Sequence, residues 1–236
     1  MIDCTPDFPA QLRLLAGHLG RSAEPAIDGM FLTHAHIGHY TGLIHLGKEA
    51  MSASGVPLYV MPRMCRFQQQ NQPWSGLVRD GHVRLNELEA GRGVGLSADL
   101  GITPVPVPHR DELSETVGYL VNGPARSALY IPDIDGWSNM GSGLRDLLVG
   151  VDLALLDGTF FDAGELPGRD LREIPHPAIV DTFRMAESLG TSGRPEIWLT
   201  HFNHTNPVLD SQTQAYRDVA DHGLSVAGEG SSYPLG

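Results

Sequence analysis

Three histidines stand close together in the segment Thr33-His34-Ala35-His36-Ile37-Gly38-His39, at the end of a short apolar run. In an extended chain, side chains two residues apart point the same way, so His34 and His36 can bind one ion together. Gly38 permits a sharp turn, after which His39 projects from the start of a predicted helix. Imidazole is a ligand for zinc, iron, nickel and copper. The spacing therefore predicts a metal site rather than three unrelated histidines.

Further potential ligands follow predicted strands elsewhere in the chain. His109, Asp133 and His201 each come directly after a short run that is typical of a strand. Layered α/β domains build their sites from side chains gathered at strand ends from distant parts of the chain. Taken singly, the three have ordinary explanations, as a loop residue, a turn former and a strand cap. Together with the histidine segment, they favour one metal centre.

The elements that must position these residues are strands mixed with helices, which predicts an α/β or α+β layered domain. Predicted strands cover residues 30–33, 56–61, 101–108, 116–121, 127–131, 151–156, 196–200 and 224–234. Predicted helices cover residues 41–51, 177–189 and 212–222. Pro104, Pro106 and Pro108 lack backbone N–H groups at alternate positions. That strand is therefore expected at a sheet edge, or to leave the ladder.

The composition excludes several classes of protein. The chain has 236 residues, 41% of them hydrophobic, and a formal net charge of −12, which suits a folded domain and disfavours an extended nucleic-acid surface. No apolar run approaches the roughly 20 residues of a membrane span, and the first residues do not resemble a signal peptide. Cys4 and Cys65 are the only cysteines. They cannot form a disulfide framework, so a reducing, cytoplasmic location is expected.

The order of the candidate ligands resembles that of the metallo-β-lactamase superfamily, and the likeness spans residues 28–233. Within the superfamily, the chain resembles the coenzyme PQQ synthesis protein B branch. This narrower likeness rests on five blocks of sequence, LTHAHIGHYTGL (32–43), MPRM (61–64), NQPW (71–74), LDGTF (156–160) and HFNHTNP (201–207). The resemblance implies a single domain over residues 1–236. That domain would be a four-layer αββα sandwich, with the metal centre at one edge between two mixed sheets.

Carried over to this chain, the resemblance implies six metal ligands in two sites. The first site takes His34, His36 and His109. Asp133 bridges to a second site, which also takes His39 and His201. The implied cofactor is a divalent metal, with zinc as the first choice, bound as one or two ions; iron and manganese are alternatives.

Two of these assignments have a nearby rival. Asp135 competes with Asp133, and His204 competes with His201, although the register of Thr200-His201-Phe202 favours His201. Asp133 and His204 are also the candidate groups for accepting the proton of an attacking water.

The chain departs from the superfamily pattern in two places. The superfamily has Asp immediately before the last histidine of its first motif, where this chain has Gly38. That change weakens the second site and removes the usual acid/base group. The sequence also begins at a segment that follows two or three strands in other members. Part of the first sheet is therefore expected to be absent, which leaves an edge that a second copy could cover in a homodimer.

Three further residues are candidates for binding substrate. Arg63 could hold a carboxylate or phosphate through two hydrogen bonds, or form a surface ion pair. Trp74 is a substrate contact or a core residue. His176, between two prolines and before a helix, could reach the site from a loop. Asp157 could orient a ligand histidine or form a structural turn.

These residues predict a metal-dependent hydrolase that cleaves a small ester or phosphodiester through a metal-activated water. The resemblance to coenzyme PQQ synthesis protein B implies an iron-dependent oxygenase as the alternative, since histidine with one carboxylate also suits ferrous iron. A non-catalytic accessory or carrier protein is the third possibility. The expected partner is a small-molecule substrate, with no membrane and no nucleic acid.

Overall fold

A computed structural model describes residues 1–21, 27–168, 174–190 and 193–236. Contacts divide the chain into two compact units. The first unit comprises residues 1–92 and 111–117, and the second comprises residues 93–110 and 118–236.

The first unit contains a parallel sheet of three strands in the order β1-β2-β3, together with helices α1 to α4. The strands are β1 (Met30–Phe31), β2 (Val56–Val60) and β3 (Val83–Glu87). The helices are α1 (Phe8–Leu19), α2 (Ile37–Tyr40), α3 (Pro62–Gln70) and α4 (Trp74–Arg79). In β2, Val56, Leu58 and Val60 alternate with half-buried residues, which directs one face of the strand into the core.

The end of β1 carries the histidine segment. Ile2 forms a parallel bridge with Phe31, and the backbone N–H of Asp3 donates to the carbonyl of Phe31 at 2.7 Å. This contact places the Asp3 side chain beside Thr33, which follows β1. His36 is the residue before α2 and has an extended backbone.

The predicted helix over residues 41–51 is wrong. After α2, the chain forms a 3₁₀ helix over Thr41–Leu46 and then turns. The N–H of Gly42 donates to the carbonyl of Cys4 at 3.0 Å, so a tertiary contact replaces the hydrogen bond that would continue an α-helix. Gly47 then adopts an extended conformation and ends the helical stretch.

The second unit contains a seven-stranded sheet in the order β10-β9-β8-β7-β6-β5-β4. Its strands are β4 (Val94–Gly95), β5 (Gly101–Pro106), β6 (Val117–Asn122), β7 (Ser127–Ile131), β8 (Leu153–Asp157), β9 (Glu196–Thr200) and β10 (Ser225–Val226). Its helices are α5 (Gly143–Val149), α6 (Ile179–Ser188) and α7 (Gln214–Asp221). Strands β7 to β10 are parallel, and β6 pairs with β7 as the predicted antiparallel hairpin.

The proline-bearing strand behaves as its sequence indicates. The edge strand β4 pairs only with Gly101 and Ile102 of β5. Pro104 and Pro106 therefore lie beyond the part of β5 that β4 pairs with, where a missing N–H is tolerated. By contrast, the predicted strand over residues 224–234 is wrong beyond Val226, because the chain turns at Gly228 and Gly230, and Gly230 has a positive φ of 77°.

The described residues confirm a mixed α/β fold. The single domain over residues 1–236 stays a prediction, as does the homodimer. In the described parts of the chain, none of the helices has the length and apolar character needed to cross a bilayer. Both cysteines are free and buried, and burial raises the pKa of each thiol.

We expect Gly42→Ala to destabilise the protein by roughly 1–3 kcal/mol, because it overpacks a closed contact. A Cβ at position 42 would lie 2.1 Å from the carbonyl oxygen of Thr5 and 2.7 Å from the Cβ of Phe8. Denaturant unfolding measures the change. The matched control is Gly17→Ala on α1, where a Cβ meets nothing within 4 Å. Equal stability of the two variants would contradict this account of the turn.

Candidate metal centre

The first unit holds a cluster of three histidines, His34, His36 and His39, which we call the first cluster. The Nε2 atom of His34 lies 2.8 Å from the Nδ1 atom of His36. The rings of His34 and His39 are 4.2 Å apart between centroids. His34 and His39 are buried, and His36 is half-buried. The predicted convergence of the three side chains is therefore observed within this unit.

Asp3 and Thr33 contact the Nδ1 atoms of His39 and His34. The Nδ1 atom of His39 lies 2.8 Å from the carboxylate of Asp3, and the Nδ1 atom of His34 lies 2.9 Å from the hydroxyl of Thr33. Thr33 in turn donates its backbone N–H and its hydroxyl to Asp3, at 2.8 and 3.0 Å. Both residues are buried.

The segment 111–117 supports His36. The Oε1 atom of Glu112 lies 3.4 Å from the Nε2 atom of His36, so the nitrogen that faces His34 is Nδ1. Ser114 accepts the backbone N–H of Ala35 at 2.9 Å. Arg63, a predicted substrate contact, instead forms an ion pair with Asp111 at 3.1 Å. The guanidinium is thus engaged by this segment.

The second unit holds a cluster of four potential ligands, His109, Asp133, His176 and His201, which we call the second cluster. One nitrogen or oxygen atom from each of His109, Asp133 and His176 lies within 4.8 Å of the others. The Nε2 atom of His201 lies 3.4 Å from Asp133. His109 and Asp133 are buried. The predicted gathering of ligands at strand ends is observed here, with His176 added to it.

Three oxygen-bearing residues hold these rings. Asp135, the alternative to Asp133 as a ligand, lies 3.0 Å from the Nδ1 atom of His109 and supports that ring. Asp157 lies 2.7 Å from the Nδ1 atom of His176. The hydroxyl of Thr159 lies 2.9 Å from the Nδ1 atom of His201 and donates to Asp157 at 2.7 Å.

The surroundings of His176 act on its pKa in opposite directions. Burial by itself lowers the pKa of His176. The hydrogen bond to Asp157 and the negative charges of Asp157 and Asp133 outweigh burial, while Arg110 opposes them, so the pKa of His176 is raised. The two carboxylates thus stabilise the charged form of His176 relative to a free imidazole, and a cation beside Asp133 would oppose that effect.

One supporting residue and one cluster residue have a left-handed backbone. Asp3 has a φ of 58° and His201 has a φ of 62°. Such conformations are uncommon outside glycine and cost about 1–3 kcal/mol each, so the surrounding structure must enforce them. At both positions, the structure keeps a strained backbone that directs the side chain toward its partners.

The structure places the remaining candidates outside the two clusters. His204 lies on the exposed turn after β9. Trp74 packs against Tyr40 and Phe67, with ring centroids 4.8 and 6.0 Å away, as expected for its core alternative. Its Nε1 atom is buried without a hydrogen-bond partner in the described parts of the chain.

Sequence reasoning missed four supporting residues, Asp3, Thr33, Thr159 and Glu112, and gave Asp157 only as one of two alternatives. Thr33 and Thr159 stand inside the sequence blocks that carry the family resemblance, and this was the available signal. No local sequence signal pointed to Asp3 or Glu112. Asp3 contacts His39, 36 residues away in the chain, and Glu112 contacts His36, 76 residues away.

The donor sets of both clusters fit a divalent metal cation. Five of the histidines have Nδ1 beside a carboxylate or hydroxyl oxygen, and they are His34, His39, His109, His176 and His201. A ring that donates its Nδ1–H to such an oxygen presents the lone pair of Nε2 to a metal. Imidazole and carboxylate together suit zinc or ferrous iron.

Comparison with known proteins gives consistent relatives. A family model described as the beta-lactamase superfamily domain matches residues 1–202. The coenzyme PQQ synthesis protein B of Pseudomonas fluorescens is 26% identical over 267 residues, which cover 100% of this chain and 83% of that protein.

Two crystal structures have a similar fold. Zn²⁺-bound PqqB from Methylobacterium extorquens matches with a TM-score of 0.75 and 20% identity, over 96% of this chain and 80% of that one. A diphosphatase of the PhnP family matches with a TM-score of 0.60 and 22% identity, over 96% of this chain and 76% of that one. These matches confirm the predicted fold class and the likeness to coenzyme PQQ synthesis protein B.

We expect His201→Ala to lower the affinity for metal and His204→Ala to leave it unchanged. His201 lies beside Asp133, whereas His204 is exposed on the turn. Competition with a coloured chelator measures the affinity, and the two variants control for each other, since they stand three residues apart in one loop. The opposite result would make His204 the ligand.

Proposed function

We propose that this chain, which belongs to the beta-lactamase superfamily, is a metal-dependent hydrolase that cleaves a small ester or phosphodiester. The observation that carries the proposal is the second cluster, in which His109 and Asp133 are buried and the Nε2 atom of His201 lies 3.4 Å from Asp133. An atom of His176 lies within 4.8 Å of His109 and Asp133. Family membership and the likeness to a diphosphatase support hydrolysis. The formal net charge of −12 favours a small substrate over a long nucleic acid.

The proposed ligands are His34, His36 and His39 of the first cluster and His109, Asp133 and His201 of the second. We assign Asp133 rather than Asp135, because Asp135 already supports His109 from behind. We assign His201 rather than His204, because His201 lies beside Asp133. When bound, a zinc ion at such a site lowers the pKa of water toward about 7 and polarises an electrophilic oxygen.

Gly38 bears on the number of ions. An Asp in its place would supply a further ligand, and a Cβ at position 38 meets nothing within 4 Å. The second site is therefore weakened by a missing side chain and not by a lack of room. We propose one firmly bound ion, with a second bound more weakly.

His176 takes the proton-transfer role in this proposal, where the sequence suggested Asp133 or His204. Asp157 lies 2.7 Å from its Nδ1 atom, and a carboxylate in that position orients an imidazole and stabilises its charged form. The ring then presents Nε2 to the leaving group. Arg63, paired with Asp111, and Trp74 stay predicted substrate contacts.

A second function is favoured by one specific observation. The chain is 26% identical to a coenzyme PQQ synthesis protein B along its whole length. An iron-dependent oxygenase in the synthesis of a quinone cofactor is therefore the alternative, since histidine with one carboxylate also suits ferrous iron. The identity of the metal and the uptake of oxygen separate the two functions. A carrier role, without turnover, is the third outcome.

Elemental analysis of protein purified without added metal tests the proposal. We expect zinc that is lost in His36→Ala and retained in the control His18→Ala, whose side chain is exposed on α1. The zinc-bound protein should then hydrolyse members of a panel of phosphodiesters and lactones. Iron together with oxygen uptake would support the oxygenase instead. Absence of any metal after reconstitution would refute both the hydrolase and the oxygenase and would leave a binding role.

His176→Asn tests the assignment of the proton group. We expect kcat to fall by about 10²–10⁴ while the metal content stays that of the unchanged protein. The control is His222→Asn at the end of α7, which should keep both values, because His222 is exposed and stacks on Phe183. Loss of metal in His176→Asn would instead make His176 a ligand.

A further inference from the structure

The two units repeat one arrangement of four side chains. In the first unit it comprises Asp3, Thr33, His34 and His39. In the second unit it comprises Asp157, Thr159, His201 and His176. In each arrangement, the aspartate accepts a hydrogen bond from the threonine. One histidine lies beside the threonine hydroxyl, and the other lies beside the aspartate carboxylate.

The matching distances are close to one another. Each threonine donates its backbone N–H to its aspartate, at 2.8 Å for Thr33 and 2.9 Å for Thr159. Each hydroxyl also donates to that aspartate, at 3.0 and 2.7 Å. The same hydroxyl lies 2.9 Å from the Nδ1 atom of His34 in one unit and 2.9 Å from that of His201 in the other.

A hydroxyl has one proton to donate and lone pairs to accept with. The proton of each threonine points to an aspartate that is removed from water, with an exposure of 3% for Asp3 and 0% for Asp157. Each aspartate also accepts further N–H donors, as an ionised carboxylate does. Toward the neighbouring imidazole, the hydroxyl can therefore only accept.

This constraint decides which nitrogen of the ring carries the proton. If the hydroxyl can only accept, the Nδ1 atom must be the donor. A neutral imidazole has one proton, so Nε2 is left with its lone pair. Water on its own does not impose that choice, because it can donate as well as accept.

We propose that Thr33 and Thr159 are positioning residues that fix His34 and His201 in the tautomer with the proton on Nδ1. In this form each ring presents the lone pair of Nε2 as its ligand atom. The proposal rests on the metal-binding role proposed above. It adds that the ligands are set in their binding form before any ion arrives.

The two threonines can be tested separately, because each has its own histidine. Thr33→Val and Thr159→Val keep a β-branched side chain and remove the hydroxyl. Thr33→Ser and Thr159→Ser keep the hydroxyl. Thr103→Val, on strand β5, controls for the effect of the Thr→Val change itself.

The first measurement is made on metal-free protein with ¹⁵N-labelled histidine, under alkaline conditions. Two-dimensional ¹H–¹⁵N spectra of the ring atoms report the tautomer, and His34→Asn and His201→Asn assign the signals. We expect both rings to have the proton on Nδ1. Thr33→Val should change the tautomer of His34 and leave that of His201 unchanged. Thr159→Val should change the tautomer of His201 and leave that of His34 unchanged.

The second measurement is the affinity for zinc, by competition with a chelator. We expect each valine variant to bind zinc about 10- to 100-fold more weakly, as for other residues that support a ligand. Each serine variant should restore the affinity, and Thr103→Val should not change it.

Several outcomes would overturn the proposal. One is a proton on Nε2 of His34 or His201 in the unchanged protein, which needs no variant to fold. Another is weaker zinc binding in a valine variant whose tautomer is unchanged, which would indicate a purely structural role. Failure of the unchanged protein to bind metal would refute the proposed function alone, since the tautomers are read without metal.

Discussion

The side-chain carboxylates of Asp3 and Asp157 lie almost completely out of contact with water. A buried charge is costly unless hydrogen bonds replace the water that it has lost. Asp3 accepts from the backbone and side chain of Thr33 and from His39. Asp157 accepts from Thr159 in the same two ways, from His176, and from the backbone of Ile134. The histidines therefore satisfy these charges while the charges orient the histidines.

This dependence also organises the backbone around each cluster. Asp3 is joined to the end of β1 by its own N–H, which donates to Phe31. Asp157 is the last residue of β8, so its side chain lies where the strand ends. Asp3 lies beside the end of a strand and Asp157 ends one, and each accepts from a neighbouring threonine and from a histidine that is distant in sequence. Chemistry that needs fixed imidazoles is supported by this arrangement, whether the metal is zinc or iron.

Local patterns in the sequence predicted what depends on local geometry. The spacing of His34 and His36 indicated their convergence because alternate side chains of an extended chain share a face. The apolar runs at β7, β8 and β9 predicted those strands, and Gly190, at φ 74°, follows α6 as its stop. The fold class and the family followed from the order of the candidate ligands along the chain and from the sequence blocks around them.

Contacts between distant segments account for most of what sequence analysis missed. The helix predicted over residues 41–51 was wrong because Gly47 is extended and the carbonyl of Leu46 accepts from Ala53, beyond the predicted helix. Helix α3 was not predicted, and its buried face includes the polar side chain of Gln68 beside Met64 and Cys65. The link between Asp3 and His39 depends on the pairing of Ile2 with Phe31. The role of Arg63 depends likewise on where segment 111–117 returns.

The left-handed backbone of His201 limits which side chains can occupy that position. Glycine adopts a φ of 62° without strain, and among residues with a side chain asparagine, aspartate and histidine enter this region most readily. The geometry of the turn after β9 therefore narrows the choice to glycine and a few polar residues. Histidine is the member of that set that brings a ring nitrogen beside Asp133.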